Sequence, residues 1–487
     1  MLKDRSILAG FAADREILLL PAMAARHGLI TGATGTGKTI TLQTLAEGFS
    51  EMGVPVFLAD VKGDLAGLAT AGSPKGKIAE RIQELHLPER GYSNQGFPVS
   101  FWDVFAEQGI PLRATVSDMG PLLLARLLTL NSVQTALLHS VFRIADDHGW
   151  LLLDLKDLKS LLAHLAENEA IYRPNYGNLP RQSLGAIQRG LLELEAQGAQ
   201  AFFGEPALGL SDLLLTDAWG HGVINILEAQ KLTNNAPKTY ACLLLWLLSK
   251  LFEELPECGD LPKPKLVFFF DEAHLLFDHA EKALLEKIEQ VVRLIRSRGV
   301  GIFFISQSPA DIPDSVLGQL QNRVQHALRA FTPKERKAVK CAAEAFRPNP
   351  AIDTGRAIEE LGVGQALVSF LDEKGVPRMV EKAAIIPPQS HAGPLEPQTK
   401  ARIIKSSPLL DAYAQSLDRY SAYEMLAEKA QIPSPSPKAR ESKADPLEAI
   451  LGTFAKKAGQ QITNQIARGL GRKLTRGILG TLFGGKI

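Results

Sequence analysis

The chain has 487 residues, with 54 Lys and Arg against 53 Asp and Glu, for a formal net charge of +1. Such a length allows a large core and more than one domain, and the near-neutral balance excludes a general attraction to polyanions, so nucleic acid has to be met by a local patch or a pore. Three scattered cysteines, Cys242, Cys258 and Cys341, exclude a disulfide framework and point to a reducing compartment.

The first ten residues carry Lys3, Asp4 and Arg5 ahead of a short apolar run, which is no signal peptide, and no apolar stretch approaches a membrane span. A cytoplasmic protein is expected. Residues 1–27 are too few for a domain and are expected to lay a strand or two on the core.

The short apolar run His27–Thr31 then breaks into Gly32-Ala33-Thr34-Gly35-Thr36-Gly37-Lys38-Thr39, the pattern G-x-x-x-x-G-K-[ST]. Glycines at this spacing tolerate the positive φ angles that turn successive N–H groups inward around phosphate oxygens. Lys38 would reach the β- and γ-phosphates, Thr39 would bind Mg²⁺, and a helix from about Thr39 to Ser50 would add the positive end of its dipole. The nucleotide-binding set is therefore Gly32, Ala33, Thr34, Gly35, Thr36, Gly37, Lys38, Thr39 and Ile40. A buried strand is expected over Val54–Asp60, followed by Val61-Lys62-Gly63-Asp64-Leu65 at a carboxyl end, where ligands of open α/β sheets gather. Asp60 or Asp64 could position water or metal; turn formation and helix capping are equally good readings.

From about Met119 to Phe203 leucines recur at helical period, as in Leu122, Leu123, Leu124, Leu127 and Leu128. They predict a helical insertion whose leucines are core and carry no chemistry. The sheet resumes at Gly222–Leu227, and a long helix is expected over Ala236–Leu255. Lys265–Phe270 then reads as a fully buried strand ending in Asp271-Glu272-Ala273-His274. Beside a phosphate loop, Asp271 would hold the Mg²⁺ shell and Glu272 would polarise the attacking water; the alternative is that both cap the next helix.

A helix over about Ala280–Arg298 leads to a further buried strand, Gly299–Ser308, with the polar Gln307 at its carboxyl end. Gln307 would sense the γ-phosphate or orient water, or is a plain loop residue. Arg293, Arg296 and Arg298 end the preceding helix, where the dipole favours cations in any case; one of them could act as an arginine finger, though only in a neighbouring subunit's site. Strand-like runs at Val324–Phe331 and Gln365–Leu371 complete a sheet. Between them Lys334, Arg336, Lys337, Lys340 and Arg347 form a basic excess that suits either a nucleic-acid path or a solvated helix face.

Beyond Pro387 the composition shifts. Pro387–Pro394 reads as a linker, Lys400–Gln431 as a helical piece, and Pro433–Asp445 as a disordered tether. After Glu448 there is no acidic residue, while Lys456, Lys457, Arg468, Arg472, Lys473, Arg476 and Lys486 are basic and apolar residues recur on one helix face. This tail could bind a protein partner's groove, an anionic surface or nucleic acid, or dock on its own core or a sister subunit.

Secondary features narrow the class. The Asn-Lys-x-Asp guanine-reading motif and the Leu-Ser-Gly-Gly signature of transporter ATPases are both missing from the sequence. The residues after Gln307 are expected to be too few for a second motor lobe, so subunits would complete each other's sites, which favours a ring.

Arg26–Thr39, Leu58–Asp64, Phe270–His274 and Ile305–Pro309 together resemble the HerA/FtsK class of P-loop ATPases, and more closely the bacterial HerA-like family once classed as a domain of unknown function (YjgR-type). The resemblance covers most of the chain. It implies an α/β, RecA-like P-loop core with a mainly parallel sheet, a helical insertion and a C-terminal helical tail. It further implies ATP and Mg²⁺ as cofactors, a homo-hexamer, and ATP-driven movement on double-stranded DNA. On it, Lys38 and Thr39 are Walker A residues, Asp271 and Glu272 Walker B, Gln307 the sensor, and Arg296 or Arg298 the finger. One departure is expected: the N-terminal β-barrel of archaeal HerA would not fit in residues 1–27. The expected division is 1–27 packed on the core, 28–118 and 220–386 as the ATPase core, 119–219 as insertion, 387–446 as linker and helix, and 447–487 as basic tail. The function expected is a DNA translocase or helicase; the alternative is an ATP-dependent assembly or partner-regulating module that threads no nucleic acid.

Overall fold

The computed structural model describes residues 1–3, 5–277 and 282–431; the tether and the basic tail expected over 447–487 lie outside the described residues. Thirteen strands form one sheet: β1 Leu2–Lys3, β2 Ser6–Ala12, β3 Arg15–Leu19, β4 Gly28–Thr31, β5 Val56–Asp60, β6 Val99–Asp103, β7 Ile110–Pro111, β8 Ile224–Glu228, β9 Leu266–Phe270, β10 Val300–Ser306, β11 Asn322–Gln325, β12 Gln365–Ser369 and β13 Glu381–Ile385. Their order is β1-β2-β13-β12-β11-β4-β10-β9-β5-β8-β6-β7, with β3 paired to β2. From β11 to β7 every neighbouring pair is parallel. The remaining pairs, including the N-terminal hairpin, are antiparallel. The mainly parallel α/β sheet is the one expected.

The central strands are buried throughout and read as continuous apolar runs because helices cover both faces. Phe269 stacks on Phe303 at 5.1 Å, and Phe49 of the helix Lys38–Glu51 meets both rings at about 6 Å. These contacts clamp the helix that follows the glycine-rich loop onto β9 and β10; burying each ring contributes roughly 2–3 kcal/mol. Gly48 on that helix leaves room for β2, since a Cβ there would stand 2.5 Å from Ile7 Cγ2.

The chain divides into two compact units. The first, residues 1–114, 195–202 and 206–417, holds the whole sheet. The second comprises 115–194, 203–205 and, among the described residues, 418–431. Within it, the helices Ser132–His148 and Leu155–Glu167 open with side-chain capping boxes at Asn131 and Asp154. They bury Leu138, Leu158, Leu161 and Leu165 completely, as core leucines should be. Residues 206–219, expected in the insertion, belong to the first unit: Leu208 N–H donates to the Arg113 carbonyl, and Asn225 Nδ2 donates to the Leu213 carbonyl at 3.2 Å.

Two expectations near the C-terminus are corrected. The linker at 387–394 is part of the core: Gln389 and Ser390 are buried and donate their N–H groups to Glu47 at 2.8 and 3.0 Å, and Gly67 N–H donates to the Gly393 carbonyl. Its Pro and Ser residues resemble a linker in composition alone; a buried carboxylate supplies the acceptors that make the segment rigid. The helical piece expected over 400–431 is three helices, Pro397–Ser406, Pro408–Tyr413 and Ala422–Gln431. Pro408 cannot continue the first of them.

Candidate active site

The loop after β4 has the conformation its glycines permit. Gly32, Gly35 and Gly37 have φ of 152°, 77° and 119°, and a Cβ on Gly32 would stand 2.5 Å from that of His326. The loop is held from behind: Ala33 N–H donates to the Ala327 carbonyl at 2.8 Å and Gly364 N–H to the Thr36 carbonyl at 3.0 Å. The strand expected to run to Phe331 ends at Gln325: His326 N–H closes the ladder on the Thr31 carbonyl of β4 at 2.7 Å, and from Ala327, whose carbonyl takes the Ala33 N–H, the backbone serves the loop.

His326 is buried beneath the loop, with Nδ1 3.0 Å from the Gln365 carbonyl and Nε2 2.8 Å from Thr41 Oγ1. A carbonyl can only accept, so Nδ1 carries the proton and Nε2 accepts from Thr41. Burial pulls this histidine down to about 4. Lys38 is 6% exposed, and its ammonium donates to the carbonyls of Gly32 at 2.6 Å and Ala33 at 3.1 Å. Burial, with the nearby Lys62 charge, holds it below the usual lysine range.

At the end of β9, Asp271 and Glu272 are both buried. Burial lifts Asp271 to about 6, against the Lys62 charge and with the help of Glu272. Burial also pushes Glu272 upward, but the hydrogen bond and charge of Lys62, aided by His274 and Lys38, outweigh it and hold the carboxyl below the usual range. Lys62 Nζ lies 2.5 Å from Glu272 Oε1, and His274 Nδ1 lies 3.3 Å from Oε2. Glu272 has a φ of 47°, a left-handed conformation rare for a non-glycine residue and typical of functional sites.

Lys62 is presented by a turn that Asp60 builds. Asp60 is fully buried and accepts from the N–H groups of Lys62, Gly63 and Leu65 at 3.2, 2.7 and 3.0 Å. Of the two readings for Asp60, turn formation is the one its bonds realise. Asp64 lies against the Thr39 side chain, and its Oδ1 is buried with no hydrogen-bond partner among the described residues.

Sheet order brings the sequence-predicted residues to one edge. β4 and β9 flank β10, all parallel, with Thr31 level with Ser306 and Phe304 level with Phe270. Lys38, Thr39, Asp271 and Glu272 therefore share the carboxyl edge, and Lys38 feels both acids. Gln307 follows Ser306 at that edge and is exposed. Arg296 and Arg298 precede β10 at the amino edge, a strand length of roughly 20 Å away. Arg296 pairs with Asp260 at 3.0 Å, and Arg298 donates to the Leu255 carbonyl at 2.8 Å. The strand ends and acids are local signals; the roles of Lys62 and His326 are not, because only the folded sheet puts them beside the loop.

With this geometry in hand, comparison with known proteins gives a family match: the description "Helicase HerA-like C-terminal" fits residues 7–487. The chain belongs to the HerA-like helicase C-terminal family. A probable helicase of Methanocaldococcus jannaschii is 29% identical to this HerA-like chain over 154 residues, 30% of the chain and 28% of that relative, so the chain spans less than a third of it. VirB4 of Thermoanaerobacter pseudethanolicus superposes with a TM-score of 0.51 at 15% identity, covering 79% of this chain and 97% of VirB4. The plasmid coupling protein TrwB, in complex with a non-hydrolysable ATP analogue, gives 0.50 at 15% identity over 79% and 90%. At such identities the likeness is one of fold, and it assigns the HerA-like chain the RecA-like P-loop architecture. Chemically, the edge offers an amide-lined anion site with an ammonium, a hydroxyl beside two carboxylates suited to a hard cation, and a buried carboxylate near both.

Proposed function

We propose that this HerA-like chain is a cytoplasmic ATPase that assembles as a homo-hexameric ring and translocates on, or unwinds, double-stranded DNA. The observation that carries the hydrolase part is the meeting of Lys38, Thr39, Asp271 and Glu272 at one edge of one parallel sheet. TrwB has been seen with non-hydrolysable analogues of both GTP and ATP, so the choice of ATP rests on the missing guanine-reading motif.

In this reading the loop amides and Lys38 bind the phosphates, the ammonium exchanging the Gly32 and Ala33 carbonyls for them. Thr39 and Asp271 would hold Mg²⁺, and the unpartnered Asp64 Oδ1 beside Thr39 fits an oxygen-ligated hard cation. Bound Mg²⁺ supplies neutralisation of charge across the β- and γ-phosphates. Glu272 takes the proton of the attacking water, and Gln307 senses the γ-phosphate. Arg296 or Arg298, at the far edge of their own sheet, would serve only a neighbour's nucleotide, after leaving Asp260 or the Leu255 carbonyl. The name of the archaeal relative supports a helicase-like role for the family.

The test is the ATPase rate with and without duplex DNA at low and raised salt, paired with particle mass. A motor shows DNA stimulation that salt removes and a mass of several 52.9 kDa chains. ATP hydrolysis indifferent to DNA supports instead the partner-regulating module.

A further inference from the structure

The base that hydrolysis requires is paired with a lysine of its own core. Glu272 Oε1 is held by the Lys62 ammonium at 2.5 Å, while Oε2 is buried with no hydrogen-bond partner among the described residues, His274 Nδ1 standing 3.3 Å away. A carboxylate committed to an ammonium has little proton affinity left for water. Lys62 differs from an ordinary structural lysine in two respects. Its backbone sits in a turn fixed by three N–H bonds to Asp60, yet its side chain is 39% exposed. In addition, its charge is the one that Lys38 feels most strongly. Lys62 touches Glu272 and Lys38 lies within reach of the same carboxylate, so a polyphosphate bound at this edge would relieve the repulsion between the two ammoniums.

We propose that Lys62 is a latch on Glu272 that a terminal phosphate opens, the ammonium passing from the carboxylate to the γ-phosphate and leaving Glu272 free to take the water. Lys62 is thereby a positioning residue that separates triphosphate from diphosphate, because only the triphosphate offers the competing anion. The inference rests on the ATPase reading above. It carries a linkage consequence: binding a triphosphate breaks the Lys62–Glu272 pair, so removing the glutamate charge spares that cost.

The experiment measures dissociation constants of the full-length chain for Mg·ATPγS and Mg·ADP, in the wild type and in Glu272→Gln, Lys62→Gln, Lys62→Arg and the Glu272→Gln/Lys62→Gln double variant. Glu272→Gln is expected to tighten ATPγS by about fivefold, the worth of a partly exposed ion pair, with ADP unchanged. Lys62→Gln should weaken ATPγS by about tenfold, again sparing ADP, and the double variant should no longer show the gain from Glu272→Gln. Lys62→Arg should keep part of the triphosphate preference, which damage to the turn would not allow. Equal effects on ATPγS and ADP, or strictly additive ones, would overturn the latch while leaving the ATPase reading intact. A wild-type chain that binds neither nucleotide would overturn both.

Discussion

The Lys38 ammonium donates to the carbonyl oxygen of Gly32, six residues back on its own loop, at 2.6 Å. The loop thus satisfies its own lysine, and phosphate must displace a carbonyl to engage it. Because the loop is also tied to Ala327 and Gly364, its shape does not depend on the lysine. Lys38→Ala should therefore leave the unfolding midpoint of the free chain nearly unchanged while weakening ATP at least about 100-fold. The nucleotide-induced rise in Tm, a direct reading of occupancy, should vanish.

A second expectation concerns acid. His27 and His326 are both buried and are pulled down to about 4 by that burial. Each is neutral in the fold: His27 accepts from Ile302 N–H through Nδ1 and lies 2.8 Å from the Val292 carbonyl through Nε2. The unfolded chain binds a proton on each near 6.5. Their contribution to stability is whole above that pH and is lost as the pH falls through the folded value near 4, at about 1.4 kcal/mol per pH unit per histidine. Denaturant titrations at pH 7 and 5 should show the loss, and His326→Gln should remove about half of the histidine share.

The Glu47 clamp is testable through Ser390, whose hydroxyl and N–H both donate to that buried carboxylate. Ser390→Ala should cost about 1–2 kcal/mol of unfolding free energy. A true linker would tolerate it without effect. Glu47 itself is pushed up to about 7 by burial, against its hydrogen bonds, so its own contribution runs opposite to the histidines: complete at low pH and lost as the pH rises through 7.

These residues also mark the limits of what the amino-acid order conveys. The glycine loop, the acids after Phe270 and the buried strands were legible because each is a local pattern: fixed spacing, or an apolar run ending in polar residues. The order of the sheet was not, since it depends on β10 entering between β4 and β9, a pairing between segments far apart in the chain. Lys62 and His326 acquire meaning only through that order. The 387–394 segment misled for a related reason: its partner, Glu47, sits on the helix after the loop, and composition records no partners.

Metal dependence follows from the donors at the edge. On the proposed reading, Asp271→Asn should raise the Mg²⁺ concentration for half-maximal hydrolysis by roughly 10–100-fold. ATPγS affinity measured at saturating Mg²⁺ should change far less. An unaltered Mg²⁺ dependence would remove Asp271 from the metal's shell.

Single-turnover hydrolysis by Glu272→Gln, with ATP binding measured on the same sample, tests most directly whether the loop and the β9 acids serve one nucleotide. The variant is expected to bind ATP at least as tightly as the wild type and to hydrolyse it at least about 100-fold more slowly. Hydrolysis at the wild-type rate with binding intact would contradict the account.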